Sequence, residues 1–211
     1  MTNFIPVFPL PLVVFPGEPL NLHIFEPRYK QLIKQCIDEK KPFGIPPVME
    51  NAPKEMGTLV EVESVEKIYE DGRMDVKTRG LRVFRVLEWV KEIPEKLFSG
   101  AIVHYLPNYE NGSRQMMQHL LSEMRRLHAT MQVVKKLDIP DEQLGSFDIA
   151  HHVGLSLAEE FEMLGYENEL HRQEYLKRHL ANILPVAEEM KRMQERINMN
   201  GHFRDLSGFS F

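Results

Sequence analysis

The side chains able to do chemistry are few: one cysteine and nine histidines stand among 211 residues. Cys36 falls in the series Tyr29, Leu32, Ile33, Cys36 and Ile37, whose i, i+3, i+4, i+7, i+8 spacing makes one apolar helix face. A thiol in that stripe is expected to pack as a small hydrophobe, not to act as a nucleophile. A lone cysteine also excludes an intrachain disulfide and a thiolate metal cluster, and it fits a reducing cytoplasm. His151 and His152 are adjacent, so on a helix they point about 100° apart and cannot share a metal face. His171 and His179 have no carboxylate or cysteine set beside them to complete a site. No cofactor and no metal are expected.

The strings that mark familiar catalysis do not occur. There is no Gly-x-x-x-x-Gly-Lys-Ser/Thr phosphate loop, no Gly-x-Ser-x-Gly elbow and no His-Glu-x-x-His zinc helix. Arg79, Arg82 and Arg85 are basic, but their spacing suits the wet face of a strand with Glu61 and Glu63 across the sheet. A net charge of -5 weighs against a phosphate-backbone partner. The twelve methionines include Met116, Met117, Met124 and Met131 in one helical stretch and Met190, Met193 and Met199 further on. Flexible thioethers suit adaptable apolar recognition; at helical spacing an ordinary core is the plainer use.

The elements that would position these residues fall into two regimes. From Leu10 to Phe15 an apolar run broken by Pro11 is extended but unfit for a central strand. Phe15 to Pro19 is a turn in which Gly17 takes a positive φ. Leu20, Leu22 and Ile24 alternate with polar residues as a half-buried strand, and Glu26-Pro27 opens a helix. Phe43 to Met49 is extended, with Pro46 and Pro47 marking an edge. Strands follow at Gly57 to Tyr69 and from Met74 onward, joined by the Asp71-Gly72 hairpin signal, with a bulge at Gly80 and a last strand from Phe98 to Leu106.

Past Pro107 to Gly112 the period changes to 3.6. Met116 through Met131 and Val134 form a long helix, and a short helical piece lies around Phe147 to Val153. Ser156 and Glu159 make a capping box, with Gly165 a left-handed end to that helix. Asn168 caps a final helix carrying Leu176, Leu180, Ile183, Leu184 and Ala187, which Pro185 should kink or interrupt. Asn198 to Phe211, with Gly, Ser and three phenylalanines, reads as a flexible tail. Its Phe203, Phe209 and Phe211 are candidate contacts to a partner or to a groove of the protein itself.

The N-terminal apolar run lacks a preceding basic region and holds Pro6, Pro9 and Pro11, so no secretory signal is expected. No apolar stretch approaches the roughly 20 residues of a membrane helix, and a cytoplasmic, non-membrane protein is expected.

Two ordered motifs carry a family resemblance. Phe15-Pro16-Gly17 followed by Phe25-Glu26-Pro27-Arg28-Tyr29, and later Gly80-Leu81-Arg82-Val83-Phe84-Arg85-Val86 after Asp71-Gly72-Arg73, resemble the N-terminal, substrate-binding domain of the Lon protease family. The helical half, with its Leu-Ser-Leu-Ala-Glu-Glu cap, is similar too. The resemblance implies an α+β fold: an antiparallel β pseudo-barrel, PUA-like in shape, over residues 1–110 with one packed helix, then an α-helical bundle over 111–197 and the tail at 198–211. With no phosphate loop and no matching Ser-Lys protease motif, a stand-alone member without the ATPase and protease domains is expected. Its activity would be non-catalytic recognition of exposed apolar or extended polypeptide segments in protein quality control. Partners would be unfolded or extended polypeptide clients and other quality-control proteins. The binding groove would lie between barrel and bundle, with strand addition at the edge by Pro46 and Pro47. Within the shared motifs Phe15 and Phe25 would bury, Gly17 would make the turn and Tyr29 would pack. The alternatives are a PUA-like RNA-binding protein, which needs a basic patch, and an uncharacterised enzyme, which needs a pocket of convergent polar groups.

Overall fold

A computed structural model describes residues 2–206 except 136 and 138, and among these the side chains of 3–197. The chain divides into two compact units, one of Met1–Asn111 with Leu155–His171, the other of Gly112–Gly154 with Arg172 onward.

The first unit holds strands β1 (Thr2–Pro6), β2 (Pro19–Ile24), β3 (Phe43–Ile45), β4 (Val48–Met49), β5 (Ala52–Pro53), β6 (Met56–Ile68), β7 (Met74–Val90) and β8 (Gly100–Tyr105). Helix α1 (Pro27–Glu39) follows β2, and a later helix, Leu157–Leu164, also belongs to this unit. The main sheet runs β1-β8-β7-β6-β3, with β2 paired to the first part of β7, and every ladder is antiparallel. It does not close into a barrel. β1 and β3 stand at its two ends, and only isolated parallel bridges, Val7 to Gly44 and Leu10 to Pro47, tie the segment after β1 to the far edge.

That segment corrects the expected free edge at Pro46 and Pro47. The amides of Phe8 and Leu10 donate to the carbonyls of Gly44 and Pro46, and Val48 N donates to Leu10 O at 2.7 Å. The chain itself fills the row of backbone groups that an added strand would need.

The alternation read in β2 is present: Leu22 and Ile24 are buried while Asn21 and His23 are exposed. The same alternation overturns the expectation for Phe25, which is 60% exposed and stacks on the His23 ring. With Leu22 and Ile24 facing inward, the next odd residue faces solvent. Phe15, by contrast, is buried. Helix α1 lays Tyr29, Leu32, Ile33 and Cys36 into a core with Phe8, Phe43, Ile45, Val60 and Val76. Tyr29 stacks on Phe8 with ring centroids 3.8 Å apart.

The bulge on β7 lies where Leu59 pairs with Arg82 and Val60 with Gly80, leaving Leu81 as the extra residue. Gly72 turns the β6–β7 hairpin at φ 76.

In the second unit, α2 (Arg114–Met131) and α3 (Ser146–Ala150) accompany a long C-terminal helix. Numbering Leu157–Leu164 as α4, that final helix is α5 (Glu169–Leu206). Ser113 caps α2 through its hydroxyl, which accepts from Met116 N. α2 ends at Met131, because Gln132 turns left-handed at φ 57; Val134, expected within the helix, lies beyond it and is almost wholly exposed. The Ser156–Glu159 capping box of α4 forms as expected. Gly165 does not end that helix left-handed: its φ is -77. A β-carbon there would come within 3.2 Å of the Met56 methyl. Asn168 directly precedes α5, and its side-chain oxygen accepts from Asn111 Nδ2 at 3.1 Å. α5 is continuous through Pro185.

α2 and α5 are pinned twice. Ser113 N donates to Gln173 Oε1 at 2.8 Å, and Arg126 pairs with Glu188 at 2.5 Å. Both sequence numbers rise together, so the two helices run side by side in the same direction. Their buried faces are Met117, Leu120, Leu121, Met124 and Leu127 on α2, and Leu176, Leu180, Leu184 and Ala187 on α5. No helix among the described residues is long and apolar enough to cross a membrane.

Candidate functional site

Among the described residues three groups of side chains stand out. The first is Cys36. It is 4% exposed, and burial with Glu39 close by pushes its thiol up to about 12. A thiol held protonated at neutral pH is a poor nucleophile.

The second is a titratable cluster at the base of the β6–β7 hairpin. His23 Nδ1 and Asp75 Oδ1 are 2.6 Å apart, and Tyr69 Oη donates to Asp75 Oδ2 at 2.8 Å. Those hydrogen bonds, His23 first and then Tyr69, hold the Asp75 carboxyl below the usual aspartate range. His23 and Asp75 are direct cross-strand partners, and the third member is a phenol, not a serine or cysteine. The group clasps β2 to the hairpin. Cations nearby are engaged as well: Arg28 with Glu26 at 2.7 Å, Arg73 with Asp71 at 2.6 Å and Lys77 with Glu66 at 3.1 Å. Arg79 is ion-paired with Glu63 as the wet-face reading expects, Arg82 lies over the Tyr105 ring, and Arg85 reaches the Met56 sulfur at 3.5 Å.

The third is an apolar groove wholly within the second unit, about 450 Å³ in volume. Its floor is Leu127 and Ala187, both buried, and its walls are Met131 at the end of α2, Val133 just after it, and Ile183, Val186 and Met190 on α5. The turn His151 to Gly154 closes one end. Two imidazoles hold that turn in place. His128 Nε2 donates to the carbonyl of His152 at 2.6 Å, and His179 Nε2 to that of Val153 at 3.0 Å. A carbonyl only accepts, so both rings carry their proton on Nε2. Gly154 supplies the positive φ, +80, that lets the turn bend away, and a β-carbon there would press Ile183 at 3.2 Å. Met131, Val186 and Met190 are each half or more exposed, and the groove lining includes no carboxylate.

The helical spacing of the methionines points chiefly to a core role. Met117 and Met124 are core; Met131 and Met190 are groove wall. Phase does not separate Met131 from Met117 and Met124, which share its stripe seven residues apart; what separates it is its place at the residue where α2 stops. Of the phenylalanines named as contacts, Phe203 lies on the backbone of α5 with its side chain outside the described residues, and Phe209 and Phe211 are outside them altogether. Among the described residues no group of three His, Cys, Asp or Glu side chains could hold a metal ion.

The fold has known relatives. The crystal structure of a Lon N-terminal domain protein from Xanthomonas campestris matches with a TM-score of 0.64 at 24% identity, covering 82% of this chain and 96% of that one. The N-terminal domain of the Mycobacterium avium complex Lon protease matches with a TM-score of 0.59 at 16% identity, covering 85% and 98%. A LON peptidase N-terminal domain and RING finger protein of Schizosaccharomyces pombe is 31% identical over 106 residues, 41% of this chain. The match spans only 21% of that longer protein. The family model for the ATP-dependent protease La (LON) substrate-binding domain matches residues 5–191. The chain belongs to the LON substrate-binding domain family.

Proposed function

We propose that this protein is a non-catalytic polypeptide-recognition module, and that the groove walled by Met131, Val133, Val186 and Met190 seats an apolar side chain or short apolar run of an unfolded or extended client. The observation that carries this reading is the groove itself: exposed, flexible thioethers over a buried apolar floor. Such a surface repacks around varied apolar shapes, as client recognition in protein quality control requires. Membership in a substrate-binding family supports the same reading. In this account the protein works in the cytoplasm.

The test is fluorescence anisotropy with a labelled, permanently unfolded polypeptide, comparing wild type with Met131→Glu and Val133→Asp. Both positions are exposed enough to accept a charge without unfolding, which circular dichroism would check. Loss of one buried apolar contact is worth about 1.5–3 kcal/mol, or roughly 10- to 100-fold in affinity. Unchanged affinity in both variants would remove the groove as the site.

A further inference from the structure

The exposed side of α5 carries an apolar stripe that starts at the groove wall and runs on beyond it. Val186, Met190, Met193 and Ile197 are 55%, 59%, 54% and 69% exposed, and their 4-3-4 spacing places all four on one narrow stripe of the helix. The buried residues Leu180, Leu184 and Ala187 lie on a different face. α2, pinned beside α5 by Arg126 and Glu188, stops at Met131, whereas α5 continues to Leu206. The outer part of the stripe therefore extends along a helix that its neighbour no longer flanks.

We infer that the stripe pairs with the same stripe of a second copy of this chain, as a short antiparallel two-helix seam. The residue pattern is self-complementary in that direction. About a two-fold axis between Met190 and Met193, Val186 faces Ile197 of the second copy and Met190 faces its Met193, giving four apolar layers. The flanking charges match as well. Glu189 and Arg196 are exposed on the outer flank of the stripe, and the same two-fold sets each Glu189 beside Arg196 of the second copy. Neither forms an ion pair within its own chain among the described residues. A parallel pairing would instead set Glu189 beside Gln194 and gain no charge match. Four layers make an interface smaller than the roughly 1,600 Å² of a standard stable complex, so the dimer is weak and concentration-dependent. Val186 and Met190 belong to both seam and groove wall; dimerisation therefore covers the groove mouth. The inference does not rest on what the groove binds.

The experiment is sedimentation velocity of the full chain over a wide concentration range. Wild type is expected to pass from monomer to dimer. Glu189→Arg and Arg196→Glu each place like charges face to face twice over, and each should raise the dimer dissociation constant roughly tenfold. The double variant Glu189→Arg with Arg196→Glu should restore it, because the reversed pairs attract again. A monomer at every concentration would overturn the proposal. So would a dimer indifferent to the single variants, or a double variant no tighter than the singles. A stripe that binds an amphipathic client helix while the chain stays monomeric would likewise overturn the choice of a second copy.

Discussion

Gly17 and Gly80, far apart in sequence, are joined backbone to backbone: Gly17 N donates to Gly80 O at 2.8 Å. Gly80 N answers to Glu18 O at 2.9 Å, and Arg79 adds a bond to Gly17 O at 3.0 Å. The turn after the first apolar run is thus locked to β7 beside its bulge. A β-carbon on Gly80 would sit 2.2 Å from the carbonyl oxygen of Phe15, whereas one on Gly17 would meet nothing but must accept φ +87.

The two glycines should therefore fail differently. Gly80→Ala forces the turn off the strand and should cost about 3 kcal/mol or more, combining overpacking with lost hydrogen bonds. Gly17→Ala meets only the left-handed backbone penalty, about 1 kcal/mol. Urea midpoints with unchanged m-values would give both numbers; equal losses would contradict the close approach at Gly80.

Phe15 and Phe25 offer a second contrast. Phe15→Ala empties a buried site and should cost about 3–5 kcal/mol. Phe25→Ala removes a solvent-exposed ring and should stay within about 0.5 kcal/mol of wild type. Thermal or urea unfolding of the pair measures this, and a large loss at Phe25 would restore it as a core residue.

This pair also shows how far the sequence could be read. The β2 alternation, the Asp71-Gly72 hairpin, the bulge at Gly80 and the Ser156 capping box were legible, because each rests on local backbone chemistry spelled out by neighbouring residues. Phe25 was misread although the period-2 rule placed it outward; a motif resemblance outweighed the phase. The filled edge at Pro46 was illegible, since it depends on where Phe8 and Leu10 return in space. The groove was half legible. Its methionines stood out, but only the left-handed turn at Gln132 and the His128 and His179 bonds to the 152–153 carbonyls decide which of them line a concavity.

Cys36 should behave as a core group. Native protein should resist alkylation at neutral pH, with reaction following global unfolding. The alkaline limb follows from linkage. The unfolded thiol titrates near its ordinary value of about 8.5, while in the folded chain it is pushed up to about 12. Between those values the unfolded state binds fewer protons, so stability falls as pH rises. Urea midpoints at about pH 8 and pH 10 should show that fall, and Cys36→Ala should lessen it. Rapid labelling of the native protein would contradict the buried placement.

The most direct test of the recognition account is methyl NMR of methionine-labelled protein titrated with an unfolded apolar polypeptide. Met131 and Met190 line the groove, whereas Met117 and Met124 are sealed in the core. The account predicts saturable shifts at Met131 and Met190 with Met117 and Met124 unmoved. Saturable shifts confined to the sheet unit, at Met56 or Met74, with the groove methyls silent, would contradict it.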